Sequence, residues 1–266
     1  MDSVAQYNIE RWTALVRHHA IFTRPALELD ASTARSLVDP KEKLGDLSGR
    51  HVLCLASGGG QQSMAFALLG AIVTVVDLSA AQLEQDRLAA AHHKVDIQTV
   101  EADMRDLSRL EPSSFDLVYQ PYSINFVPDP TIVFGEVARV LRTGGFYSLQ
   151  CANPCFAGLV AEDWDGQGYP LRLPYVQGEP VEYKDEPWVF RDEMPNEVIH
   201  RPREYRHTLG TLVNGLISHG FLLLSLEEEY LGDPDFQAAP GTTEHFTAIA
   251  PPWLRFYTSF RPGLLA

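Results

Sequence analysis

Between His51 and Leu149 the chain alternates short, near-continuous apolar runs with longer segments of helical period. His51-Val52-Leu53-Cys54-Leu55-Ala56 opens this pattern as a first strand, of the kind buried on both faces of a parallel sheet. Gln62 to Leu69 reads as a helix closed by Gly70, where a residue of positive φ is wanted. Ile72 to Val76 is a second strand. Ser79-Ala80-Ala81-Gln82 matches a capping box and opens a helix running to about His92. Val95 to Val100 and Phe115 to Tyr119 are the third and fourth strands. Asp129 and Pro130 suit the N-cap and first position of a helix that Gly144 is expected to end, and Phe146 to Leu149 is the fifth strand. Strands regularly separated by helices predict an α/β fold with a parallel, doubly wound sheet.

The flanks read differently. Ser3-Val4-Ala5-Gln6 is a second candidate capping box, and Ile9, Trp12, Leu15 and Val16 follow at helical spacing, so residues 1–45 are expected to form a helical cap packed across the core. Residues 46–150 hold the alternating core. Residues 151–206 are rich in proline, acid and aromatic side chains without helical period, and are expected to form a lid or a small substructure of irregular strands. Residues 207–266 return to the rhythm, with a helix from Thr208 to His219 stopped by Gly220, a sixth strand from Phe221 to Tyr230 and a seventh from Trp253 to Phe260.

Composition narrows the partners. A chain of 266 residues, 45% hydrophobic and 21% charged, is ordinary for a globular protein with a real core. No run of about 18 apolar residues occurs, so neither a membrane span nor a membrane partner is expected. The N-terminus lacks the basic and apolar regions of a signal peptide, and Cys54, Cys151 and Cys155 do not make a disulfide framework, so a cytoplasmic protein with free thiols is expected. A net charge of −14 repels phosphate backbones, which disfavours nucleic acid as substrate. No metal is expected either. Cys151 and Cys155 have no second pair, and the adjacent histidines His18-His19 and His92-His93 point in different directions on a helix.

The candidate chemistry falls at strand ends. Ala56-Ser57-Gly58-Gly59-Gly60-Gln61-Gln62 lies between the first strand and its helix, where ligands sit in open α/β sheets. Glycines there let backbone approach a ligand closely, although a plain strand–helix turn would use them too. Asp77 ends the second strand, 19 residues beyond Gly58, where a carboxylate can accept from both ribose hydroxyls of a nucleoside; its plainer role is to cap the next helix. Asp103 ends the third strand and can accept from an exocyclic amine such as that of adenine, or serve as a surface turn residue.

Together these segments resemble the class I S-adenosylmethionine (SAM)-dependent methyltransferases. Leu53-Cys54-Leu55-Ala56-Ser57-Gly58-Gly59-Gly60 looks like motif I, Val76-Asp77-Leu78-Ser79 like the ribose-binding strand end, and Asp103-Met104 like the adenine-binding segment. Phe115-Asp116-Leu117-Val118-Tyr119-Gln120 is similar to the fourth-strand motif, and Val137 to Gly145 to the helix and turn before the fifth strand. The resemblance covers roughly Arg50 to Gln150 and fits best the ubiquinone-biosynthesis-type branch, whose members mostly methylate small molecules. It implies a seven-stranded Rossmann-like sheet with helices on both faces, SAM as cofactor, and cofactor contacts from Ala56, Ser57, Gly58, Gly60, Gln62, Asp77, Leu78, Asp103, Met104 and Gln120. The acceptor is expected to be a small molecule, with Tyr122, Asn125, Trp164 and Trp188 as candidate contacts and a monomer or homodimer as the assembly.

Two departures stand out. The family usually has an acid where Cys54 stands, helping to hold the cofactor ammonium, and glycine where Ala56 stands; Gln62 is a candidate substitute for the acid. An NAD-dependent dehydrogenase would read Gly58-Gly59-Gly60-Gln61-Gln62-Ser63 as its fingerprint, with serine in place of the last glycine and no task for Asp103. A non-catalytic SAM-binding module would share every motif. His207, just before the sixth strand's helix, is the candidate general base, with packing or capping as its alternative role.

Overall fold

Strand formation follows the apolar runs. In chain order the strands are β1 (His51–Leu55), β2 (Ile72–Asp77), β3 (Ile97–Glu101), β4 (Phe115–Gln120), β5 (Leu141–Ala152), β6 (Glu179–Glu182), β7 (Arg203–Arg206), β8 (Phe221–Glu229) and β9 (Trp253–Phe260). Among the described residues the helices are α1 (Ser3–Arg17), α2 (Ala31–Val38), α3 (Gln62–Leu68), α4 (Ala80–His93), α5 (Pro130–Val140), α6 (Leu209–Ser218) and α7 (Thr243–Ile249). The computed structural model describes residues 2–183, 185, 189–190, 195 and 197–263.

Seven strands make one sheet in the order β3-β2-β1-β4-β5-β9-β8. The first five are parallel, and β9 runs antiparallel between β5 and β8. The chain reverses its direction of travel across the sheet at β1, so the crevice for a ligand opens beyond the carboxyl ends of β1 and its neighbours. Alternate residues of β1 feed two cores. Leu53 and Leu55 face Val133, Phe134 and Val137 of α5 and Leu212 and Leu216 of α6. Val52 and Cys54 face Ala65 and Phe66 of α3, Leu83 of α4 and Ala34 and Val38 of α2. Burial on both faces is why β1 reads as an unbroken apolar run.

Several local expectations need correction. The N-cap of α1 is Asp2, which accepts from the Ala5 amide, rather than Ser3. Its buried face carries Asn8 and Arg11 beside Ala5 and Leu15, because Leu15 packs on Val189, Phe190 and Ile199 of the insertion, Arg11 pairs with Asp185 there, and Asn8 donates to the Phe126 carbonyl at 3.1 Å. The Ser79–Gln82 box is only half formed. Ser79 Oγ accepts from the Gln82 amide, but the Ser79 amide donates to Asp77, and Gln82 Oε1 is left buried without a partner. Helix α5 stops at Val140 rather than Gly144, since Leu141 turns extended and Arg142 pairs with Asp116 at 2.5 Å. Strand β5 runs on to Ala152 because β9 pairs with it along that length. Helices α2 and α7 were not anticipated.

Within the insertion, β6 and β7 form an antiparallel hairpin. Its second strand is tied to the segment after β4, where Asn125 Nδ2 donates to Tyr205 O at 3.1 Å.

Ala56 leaves β1 with φ +46, a left-handed conformation that favours glycine. Relieving it costs some unfolded-chain entropy, so Ala56→Gly should stabilise by about 1 kcal/mol. A thermal melt should shift upward by about 2–3 °C. An unchanged or lower midpoint would mean that Ala56 carries no strain.

Candidate functional site

The glycine loop after β1 turns its amides inward onto two carboxylates. Gly58 N–H donates to Asp77 Oδ2 at 2.9 Å, while Asp77 Oδ1 accepts from Ser79 N–H at 2.8 Å. Gly59 and Gly60 N–H donate to the two oxygens of Asp86 at 3.0 and 3.1 Å, and Ser63 Oγ donates to Asp86 Oδ1 at 2.5 Å. Gly59 and Gly60 hold φ of +117 and +75 to present those amides. The loop lies flush on α4. A β-carbon at Gly58 would sit 2.5 Å from Gln82 Cβ, and one at Gly60 would sit 2.8 Å from the Gln85 carbonyl oxygen and 2.9 Å from Ala89 Cβ. Gln82, Asp86 and Ala89 share one helical face at i, i+4 and i+7, so α4 is the bed on which the loop rests.

Electrostatics follow from burial. Asp86 is fully buried, and loss of water outweighs its three donors, pushing its carboxyl up to about 7. Asp77 is half-buried, and burial pushes it up to about 6 against the hydrogen bonds from Ser79 and Gly58. Cys54 is fully buried, and its thiol is raised by burial and then by the charge of Asp86. Sequence reasoning missed Asp86. The available signal was an acid on the same turn face as Leu83, Ala89 and Ala90, which are all buried.

The other expected cofactor contacts cluster nearby but are variously engaged. Asp103 is bound by its neighbour Arg105, whose Nη2 reaches Oδ2 at 2.6 Å and whose Nε and amide donate to Oδ1. The same guanidinium spans to Asp2 at 2.7 and 3.0 Å, tying the start of α1 to this corner. Ser57 Oγ donates to Gln62 Oε1 at 3.2 Å, so the oxygen that an ammonium would need from Gln62 is shared. Gln120 is fully buried; its amide donates to Met104 Sδ and Ser123 Oγ and accepts from Tyr147 Oη. Only its main chain is left for a ligand. Leu78 is half-buried beside Asp77.

Beyond β4 the chain meets the hairpin in a polar cluster. Glu204 of β7 is buried and accepts from Tyr122 Oη at 2.6 Å and Tyr183 Oη at 2.7 Å. Burial holds its carboxyl above the ordinary range. Nearby, Arg11 of α1 makes a buried ion pair with Asp185 and donates to the His200 carbonyl. Asn125 is spent on the main chain, accepting from Ala152 N–H at 2.8 Å as well as donating to Tyr205 O. His207 is also fully engaged. Its Nε2 donates to Ile124 O at 3.1 Å and its Nδ1 accepts from Gln177 Nε2 at 3.0 Å, while burial lowers its pKa. A neutral ring with both nitrogens occupied suits the packing role rather than the base. Trp164 packs edge-on against Tyr169 and His245 in the cluster beneath α7, and Trp188 lies outside the described residues. Among the described residues, no group of His, Cys, Asp and Glu could hold a metal ion, and no helix is long and apolar enough to cross a membrane.

The family described as "Methyltransferase domain" matches residues 53–149. The uncharacterized methyltransferase YbaJ of Bacillus subtilis (strain 168) is 32% identical over 221 residues, covering 82% of this chain and 84% of that protein. A ubiquinone biosynthesis O-methyltransferase of Xanthomonas oryzae pv. oryzae (strain PXO99A) is 35% identical over 108 residues, which span 41% of this chain and 45% of the relative. Among solved structures, a putative S-adenosylmethionine dependent methyltransferase from Listeria monocytogenes superimposes with a TM-score of 0.62 over 86% of this chain and 99% of that one, at 18% identity. At that identity the likeness is one of fold, and it matches the seven-stranded sheet with helices on both faces.

Truncating His207 to alanine strips a buried donor from the Ile124 carbonyl and an acceptor from Gln177, at about 1–3 kcal/mol for each group left unpaired. His207→Ala should therefore lower the melting temperature by several degrees and leave cofactor affinity within about twofold, as a melt and a titration on the same sample would show. Normal stability with lost turnover would restore His207 as the base.

Proposed function

This chain belongs to the class I SAM-dependent methyltransferases, and from that premise we propose that it methylates a small molecule held between the ends of β4 and β5 and the β6–β7 hairpin. The observation that carries the reading is the placement of the glycine loop, Asp77 and Asp103 at the adjacent carboxyl ends of β1, β2 and β3.

The residues fit the cofactor. Each oxygen of Asp77 takes one main-chain donor, which leaves one lone pair on each for a ribose hydroxyl. Gln82 Oε1, buried and unpartnered, would lie 3.3 Å from a β-carbon at Gly59, so a ligand donor reaching the loop would complete it. Asp103 is the weaker partner, because an adenine amine would share its oxygens with Arg105. The main chain of Gln120 and the side chains of Leu78 and Met104 are assigned to the adenine and ribose walls.

When bound, SAM supplies a methyl group on a sulfonium that leaves as a neutral thioether. The protein's task is then to hold an acceptor atom about 3–3.5 Å from that methyl, in line with the breaking bond. We assign Tyr122 and Glu204 to the acceptor side. Tyr122 lies just past β4 and its hydroxyl already bonds to a carboxylate whose burial makes it a better proton acceptor than a surface glutamate. The N-terminal cap and the insertion, residues 1–45 and 151–206, are the segments that would exclude water from this pocket. Residues 46–150 and 207–266 carry the cofactor side.

Calorimetry tests the reading at its cofactor end. SAM and S-adenosylhomocysteine (SAH) should bind and NAD should not. Asp77→Ala should weaken SAM by about tenfold to a few hundredfold, the worth of charge-assisted bonds of roughly 1.5–3 kcal/mol. The sign of the pH effect is also fixed. Ribose hydroxyls donate to the ionised carboxylate, so affinity should rise as pH passes upward through about 6, the value at which Asp77 ionises. Asp77→Asn should remove that step. NAD binding without SAM binding would sink the proposal.

A further inference from the structure

The family resemblance places an acid at the position of Cys54, and this chain has a neutral, fully buried thiol there. A carboxylate is nevertheless present beside it, delivered from another element. Asp86 comes from the third turn-face position of α4, is fully buried, and lies close enough to Cys54 for its charge to raise the thiol. Its oxygens receive the amides of Gly59 and Gly60 and the hydroxyl of Ser63 at 3.0, 3.1 and 2.5 Å. All three donors belong to the glycine loop or the first turn of the helix it opens into. Ser63 sits on α3, so one carboxylate fastens the loop, α3 and α4 together.

We propose that Asp86 is the positioning residue of the SAM site, holding the glycine loop in its binding conformation from beneath, and that it stands in exchange for the acid missing at Cys54. The proposal rests on the methyltransferase reading. Asp86 touches no cofactor atom. It acts through the loop.

Three physical points support it. A loop of consecutive glycines at positive φ loses more conformational freedom on ordering than any other sequence, and without an internal anchor that cost would fall on ligand binding. Buried main-chain donors need partners, and Gly59 and Gly60 find theirs only by reaching α4. Finally, Asp77 already acts on Asp86 as a like charge, so a further carboxylate at 54 would add a third acid to one dry site and oppose both. Groups facing Asp86 are the loop amides, Ser63 of α3, Cys54 of β1 and Asp77 of β2, whose charge opposes that of Asp86 as a like charge would. Asp86 is fully buried and its oxygens already serve Gly59, Gly60 and Ser63, so its role is to hold the loop rather than the cofactor ammonium.

A double-variant cycle, read by SAH calorimetry and thermal melts, tests the exchange. Asp86→Ala should bind SAH about ten- to a hundredfold more weakly, in line with the loss of a buried acceptor for charge-assisted bonds. Leu216→Ala, a cavity on the opposite side of the sheet, serves as the control for instability and should keep SAH affinity within about threefold. Cys54→Asp alone should be destabilised by the added acid. Cys54→Asp in the Asp86→Ala background should instead recover most of the lost SAH affinity. Should Asp86→Ala not fold, Asp86→Asn keeps one acceptor oxygen and should show the same loss to a smaller extent. Wild-type affinity in folded Asp86→Ala or Asp86→Asn, an equal loss in Leu216→Ala, or a double variant no better than Asp86→Ala would overturn the proposal. Failure of the wild-type protein to bind SAH would instead defeat the methyltransferase reading itself.

Discussion

Three consecutive main-chain N–H groups leave the end of β1 with nowhere to go but inward, and everything at the candidate site answers to that constraint. Burying an amide without a partner costs about as much as a lost hydrogen bond, so acceptors had to be provided from neighbouring elements. Asp77 and Asp86 provide them. Satisfying that geometry requires glycine at 58 and 60, because a β-carbon at either would run into α4. It also fixes which face of α4 is turned inward. The residue pattern along α4 and the glycines of the loop are therefore one feature seen from two sides.

Much of this was legible in the chain. The inner strands β1, β2 and β4 were visible because strands buried on both faces are written as apolar runs, the edge strands β3 and β8 are less buried, and Asp77 was visible because it ends β2. Asp86 was not. It sits between Gln85 and Arg87, so in sequence it looks like part of a solvated helix face, and its burial depends on a loop more than 20 residues earlier. The same blindness explains Gln82, whose capping partner was taken by Asp77, and α1, whose inward Asn8 and Arg11 broke the expected apolar spacing. His207 shows a further limit of the sequence. In the chain it is open to a base or a packing role, and the contacts of its two nitrogens with Ile124 and Gln177 exist only in three dimensions.

The side proposed for the acceptor is assembled almost wholly from long-range polar pairs. Tyr122 meets Glu204 across 82 residues of chain, and Arg11 meets Asp185 across 174. Such pairs leave no periodicity to read. They also make the proposed acceptor side a joint product of the core, the N-terminal helix and the insertion, while the start of α1 reaches the cofactor corner as well, through Asp2 and Arg105.

Amide hydrogen exchange at Gly58, Gly59 and Gly60, followed with and without SAH, tests most directly whether the protein carries a preformed cofactor loop. With Asp86 as internal acceptor, Gly59 and Gly60 should already be protected in the free protein, and adding SAH should slow them by no more than about tenfold while it protects the rest of the cleft. Free exchange at both glycines until SAH arrives, or exchange that SAH does not alter anywhere in the cleft, would contradict it.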